Sequence, residues 1–224
     1  MLLSVLGIIA LVIIGIATVI GIVIAPKISS LPYKLLMVYM IITFINSTAL
    51  NITGSMQIRN HFLVNIYIYL RFPMLAWIYY LLFKWQKRKG YYLSVLLWLI
   101  TPFFLIYGLL DLGGNQLHTP YVVAGSAIMI LVILLFFYNM FASTEILTPL
   151  TYPFFWTSLG LFFFFLLLMP SRGIINFLIT SNTVAARQAS IILQAYNCIL
   201  YSLISLDFLI AWKQTRKSAS LSLQ

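Results

Sequence analysis

The segment MLLSVLGIIALVIIGIATVIGIVIAP, residues 1–26, carries no charged side chain and is almost wholly apolar. A helix rising about 1.5 Å per residue needs ~20 apolar residues to cross a ~30 Å hydrocarbon core. This stretch is long enough. No basic residue precedes the apolar run, and the first cations, Lys27 and Lys34, follow it. A secretory signal peptide has the opposite order and a shorter apolar core. The segment therefore reads as an uncleaved first span with its N-terminus outside.

The pattern continues along the chain. Residues 35–58, 90–110, 112–144 and 146–171 are also uncharged. Of the 224 residues, 63% are hydrophobic and 7% are charged, against roughly 45–50% and about 25% in soluble domains. A soluble globular fold and disorder are both excluded. The reading is an all-α polytopic bundle of seven transmembrane helices filling residues 1–212. Spans are expected at about 2–24, 35–55, 62–83, 91–110, 120–141, 152–170 and 188–212, and 213–224 forms a short, basic, disordered tail. Turn chemistry separates the spans, for example at Gly54-Ser55, Gly113-Gly114-Asn115 and Ser171-Arg172-Gly173. The loop 171–187 reads equally as an amphipathic turn on the outer surface, through Ile174, Ile175, Phe177 and Leu178, or as a plain connector.

Thirteen Lys and Arg against three acids give a net charge of +10. The cations punctuate apolar runs, so they report topology and not nucleic-acid binding. When loops are assigned alternately, one side collects Lys27, Lys34, Lys84, Lys87, Arg88, Lys89, Lys213, Arg216 and Lys217. The other collects Arg59, Arg172 and Arg187. Basic residues gather on the cytoplasmic side, which puts the N-terminus outside and the C-terminus inside. Trp85 and Trp212 sit beside basic clusters, as interfacial aromatics do. The expected location is the inner membrane of a bacterium, with multiple passes.

Small residues at Ala17, Gly21 and Ala25 make a packing face on the first span. The second span carries Tyr39, Thr43, Asn46, Ser47 and Thr53 within one sector, and the seventh carries Ser190, Gln194, Asn197, Tyr201 and Ser205 as one stripe. The third adds Asn65 and Tyr69 on one face, and Tyr67 with Arg71 on another. Polar groups in hydrocarbon need partners. These stripes are expected to bond between neighbouring spans 2, 3 and 7, or to line a ligand pocket or solute path there.

Arg71 lies ~14 Å into its span, near the midplane, where Arg costs roughly 2.5–3.5 kcal/mol. Asp207 differs from it in depth by roughly 7 Å. An Arg71–Asp207 pair is one expectation. The other is that Asp207 pairs near the interface with Lys34, Lys84 or Lys213.

Chemistry is sparse. His61 and His118 fall in loops, Cys198 is the single cysteine, and no metal-ligand spacing, nucleophile motif or paired carboxylates occur. No Lys lies in the last span to anchor retinal, and no His lies inside a span to bind haem. No enzyme activity, cofactor or metal is expected. Neither is an internal repeat of the transporter kind evident.

The segments LPYKLLMVYMIIT (31–43), RNHFLVNIYIYLRFPMLAWIYYLLF (59–83), PFFWTSLGLFFFF (153–165) and YNCILYSLISLDFLIAW (196–212) together resemble an uncharacterised family of small seven-span membrane proteins of Bacteroidota-type bacteria. The family's third span resembles N-x-x-L-x-H-I-Y-x-x-x-E-F. Here Asn65 replaces the His, Ile66 and Tyr67 stand, Arg71 replaces the Glu, and Phe72 stands. The charge reversal at Arg71 means that an acidic family site does not carry over. The resemblance implies a membrane partner of a sensor kinase. The functional expectation is a non-enzymatic regulatory, sensory or accessory subunit that works through another membrane or signalling protein. The alternative is a small-solute transporter or channel.

The charge asymmetry makes a direct prediction. Cysteines placed at positions 87 and 217 should react with a membrane-impermeant maleimide only from the cytoplasmic side. Labelling of both from outside would reverse the topology.

Overall fold

The computed structural model describes the chain except residues 1, 57–59, 86–91, 143–147, 182 and 222–224, and residues 93–118 apart from Val95, Leu99, Pro102 and Ile106. The described residues form six helices: α1 (Leu2–Ile24), α2 (Leu31–Ser55), α3 (His61–Trp85), α4 (Thr119–Phe141), α5 (Phe155–Ser181) and α6 (Thr183–Leu221). No strand occurs among them. The fourth expected span lies mostly outside the described residues. Its Tyr92, Val95, Leu99, Pro102 and Ile106 are helical and exposed.

Among the described residues five stretches are long and apolar enough to cross a membrane: Val5–Lys27, Leu31–Ser55, Phe62–Lys84, Thr119–Phe141 and Ile191–Arg216. A shorter apolar helix, Phe155–Ser171, accompanies them. Helix ends follow local chemistry. Pro26 lacks an amide and sits in a 3-10 turn, Ala25–Lys27, that ends the first helix. Ser30, extended at ψ 121°, precedes α2, whose first turn carries Pro32.

Two expected non-helical segments are helical. The helix α5 runs through the expected 171–187 loop to Ser181, and α6 begins at Thr183. Likewise α6, 39 residues long, continues through the basic tail to Leu221. Ser171, Arg172 and the lysines of the tail mark where apolar sequence ends, but none of them breaks a helix. In the tail, Thr215 Oγ1 donates to the Ala211 carbonyl at 3.0 Å. Arg216 lies 5.0 Å from the Trp212 ring centre, and Gln214 donates to the Thr151 carbonyl.

The six helices close into a ring. Helix α1 packs on α2, α2 on α3, α3 on α4, α4 on α5, α5 on α6, and α6 back on α1. Ala17, Gly21 and Ala25 are buried where α1 meets its neighbours. A Cβ at Gly21 would lie 3.3 Å from the Phe208 ring of α6, so the small residue permits the close approach. The outer face of the ring is apolar: Val12, Ile16 and Val19 on α1 are exposed, Val19 by 60%. Such a surface suits lipid and not water.

The interior is aromatic. Phe72 of α3 stands edge-on to Tyr121 of α4 at 5.4 Å and stacks on Phe165 of α5 at 5.7 Å. Its ring presses on Gly125 of α4, where a Cβ would lie 2.8–2.9 Å from three ring atoms. The ring is held on two other sides and cannot swing clear. Gly125→Ala should therefore cost about 1–3 kcal/mol as an overpacked core change, read as unfolding free energy in mixed micelles. Unchanged stability would show that the α3–α4 contact is looser than described.

Candidate functional site

Among the described residues Arg71 is the one cation buried inside the ring, 7% exposed, on the third turn of α3. Its surroundings explain how a guanidinium sits there. The Phe164 ring centre is 4.2 Å from Cζ, that of Phe165 is 5.1 Å away, and that of Tyr67 is 5.9 Å away. A desolvated cation–π contact is worth about 2 kcal/mol or more. Two such faces match the roughly 2.5–3.5 kcal/mol charged for a midplane Arg. The hydroxyls of Tyr39, Tyr67 and Tyr201 supply polar surroundings.

These tyrosines belong to a network. The Tyr67 and Tyr39 hydroxyls are 3.4 Å apart, and Tyr67 lies 3.0 Å from Thr43 Oγ1. Thr43 in turn donates to the Tyr39 carbonyl at 2.8 Å. One edge of the guanidinium is left over: Nε and Nη2 are buried and make no hydrogen bond among the described residues.

Above this group lies a partly open cavity of about 200 Å³. Asn46 and Ser47 of α2, Tyr67 and Arg71 of α3, and Asn197 and Tyr201 of α6 give it polar atoms. Ile14, Leu168 and Leu193 are among its apolar walls. The cavity occupies the half of the ring that holds the α2–α3 turn. Among the described residues no His, Cys or carboxylate lines it.

Most of the sequence candidates thus converge, with three departures. Tyr69 turns away to pack on Tyr121 of α4, ring centres 5.0 Å apart, and Asn65 does not line the cavity. Gln194 faces α1 and α2 instead: its Nε2 lies 3.9 Å from a Cβ built at Gly7, beside Asn51. The expected side-by-side packing of spans 2, 3 and 7 is also corrected. Helices α2 and α3 are neighbours, whereas α6 faces α3 across the cavity, and α1 stands between α6 and α2.

Asp207 is not Arg71's partner. It lies six residues past Tyr201, ~9 Å further along α6, and is 1% exposed. Thr157 Oγ1 donates to its Oδ2 at 2.7 Å. The Phe154 amide lies against the carboxylate and donates to the Tyr33 hydroxyl at 3.3 Å. Phe154 has φ 65°, a strained conformation for a bulky residue. Full burial and a ring contact with Tyr33 at 4.5 Å hold it there. Its carbonyl accepts the Ser158 amide at 2.9 Å, which opens α5. Asp207 therefore sits at the start of α5, where a carboxylate complements the exposed amides of a first turn. It is a brace between α5 and α6. Neither Lys34, Lys84 nor Lys213 forms an ion pair with it among the described residues.

Sequence reasoning missed Phe164 and Phe165 as the cation's supports and Thr157 as the carboxylate's donor. Four consecutive phenylalanines present rings on every face of a helix, so the run alone does not show which ring points inward. No family model matches the chain, and no curated protein or solved structure does. The family resemblance rests on the sequence segments alone.

Two double-mutant cycles separate the centres. Asp207→Leu with Thr157→Val should show coupling, since losing the hydroxyl alone leaves a buried carboxylate short of a donor, at about 1–3 kcal/mol. Arg71→Leu with Asp207→Leu should be additive within about 0.5 kcal/mol. Strong coupling in the second cycle would restore the direct pair.

Proposed function

We propose that this chain is a non-enzymatic, multi-pass protein of a bacterial inner membrane. Its N-terminus is outside and its C-terminus cytoplasmic, and it acts as a sensory or regulatory subunit. A small solute enters the Arg71 cavity from the outer side, and a partner membrane or signalling protein carries the consequence. The cavity supports this reading most directly. Polar side chains from three helices meet there around a buried cation, an expensive arrangement in hydrocarbon and a common mark of a binding site.

The charge bias of the loops supports the orientation. It puts the cavity in the outer half, because the α2–α3 turn lies opposite the Lys-rich side. Among the described residues the lining offers no acid–base pair or thiol, which speaks against catalysis. The transporter reading draws on the same polar lining. Against it stands the other half of the ring, filled by buried Leu36, Leu75, Tyr79, Phe83, Phe154 and Phe208. Packing of that kind favours a site with one entrance over a continuous path.

The test uses the full chain in proteoliposomes and a library of small water-soluble metabolites. At least one compound should raise the thermal unfolding midpoint. That shift should vanish in Asn197→Leu, and no compound that binds should be carried across the membrane. Vectorial uptake of a bound solute would establish transport instead. Absence of any stabilising solute would remove the cavity from consideration as a site.

A further inference from the structure

The shape of the cavity's one charged group narrows what it takes. A guanidinium has two faces and a set of N–H edges. In Arg71 the rings of Phe164 and Phe165, their centres 5.6 Å apart, press on the group from one side, with Tyr67 further off. Tyr39 supplies a hydroxyl neighbour. The two nitrogens that make no hydrogen bond among the described residues are Nε and Nη2. These two carry parallel N–H groups on the same side of the guanidinium. A buried charged donor left unbonded is among the more costly features a fold can hold, and here two adjacent ones belong to a residue that lines the cavity.

We propose that this edge receives a carboxylate, one oxygen on each N–H, and that the cavity is a site for a small carboxylic acid in its ionised form. The inference rests on the reading of the cavity as a solute site and adds the ligand's chemistry. Parallel N–H groups at a fixed spacing match the two oxygens of a carboxylate. Among the described residues Arg71 is the sole charged one lining the cavity, so a monoanion is neutralised there, whereas a phosphate dianion keeps an uncompensated charge in hydrocarbon.

Size and walls refine the class. About 200 Å³ falls below the roughly 300–1,000 Å³ of sites for drug-sized ligands, so the acid is short. Ile14, Leu168 and Leu193 provide apolar walls for a short carbon chain or ring, and Asn46 and Asn197 provide amides for a hydroxyl or amino group on it. The same carboxylate chemistry is available from two sources: a free acid in the aqueous phase, or the head of a fatty acid in the bilayer.

The experiment uses the full chain in nanodiscs, with calorimetric titration and thermal unfolding. The probes are sodium butyrate, benzoate and lactate, the neutral butyramide and benzamide, inorganic phosphate, and oleate added to the lipid. At least one acid should bind while its amide does not. Arg71→Lys keeps the charge but loses the paired donors, and it should weaken binding ~10-fold or more. Binding of the short acids supports an aqueous source, and binding of oleate alone supports the same chemistry with a bilayer source. Equal binding of an acid and its amide would overturn the inference, as would preference for phosphate, or affinity unchanged in Arg71→Lys. If only neutral solutes bind, the cavity remains a solute site and the carboxylate assignment fails. If nothing binds, both fail. The comparison of acid with amide is made on the native chain, so it decides the matter even where the lysine variant does not fold.

Discussion

Everything in this bundle is arranged around one cost: a guanidinium held near the middle of an apolar helix ring. The usual remedy, an acid on a facing helix, is not found beside it among the described residues. Aromatic faces take its place, with Phe164 at 4.2 Å and Phe165 at 5.1 Å from Cζ. Tyrosine hydroxyls from α2, α3 and α6 complete the surroundings. A carboxylate would cancel the charge and leave little for any other anion. Aromatic faces stabilise the cation without cancelling it, so Arg71 keeps its positive field and a free donor edge. That choice distinguishes a structural ion pair from a cation kept available.

The opposite half of the ring shows what a structural use of charge looks like here. Asp207 is bonded to Thr157 and lies beside the Phe154 amide at the start of α5. The surrounding contacts are tight: Tyr33 on Phe154 at 4.5 Å, Tyr79 donating to Ser158 at 2.7 Å, and Phe208 5.7 Å from Tyr33. This cluster fixes α5 against α2, α3 and α6 and holds Phe154 in a left-handed conformation. It gives the cavity a rigid floor, since Phe164 and Phe165 sit two to three turns further along the same helix.

Much of this was legible in the sequence. Uncharged intervals of ~20 residues mark spans because the hydrocarbon core sets their length. Five of the expected spans reappear as helices long and apolar enough to cross. Arg71, Tyr67, Asn197 and Tyr201 stood out as polar groups in hydrocarbon, and they share one cavity. The end of α5 and both ends of α6 were not legible. Arg172 and Lys213 mark where apolar sequence stops, and helices α5 and α6 run on past them because no residue there breaks a helix. The Arg71–Asp207 pairing failed for a related reason. Helical rise gives depth along a span, but it does not say which helices stand side by side in a ring. Here α3 and α6 face each other across the cavity.

The central claim is that Arg71 carries its charge without the Asp207 carboxylate. Solid-state NMR in lipid tests this directly, through dipolar recoupling between guanidinium ¹⁵N and the Asp207 carboxyl ¹³C in a sample labelled at Arg and Asp. The account predicts no recoupling between Arg71 and Asp207, and close contacts from the Arg71 Cζ to phenylalanine ring carbons. A recoupled distance of about 4 Å, the range of a direct ion pair, would contradict it.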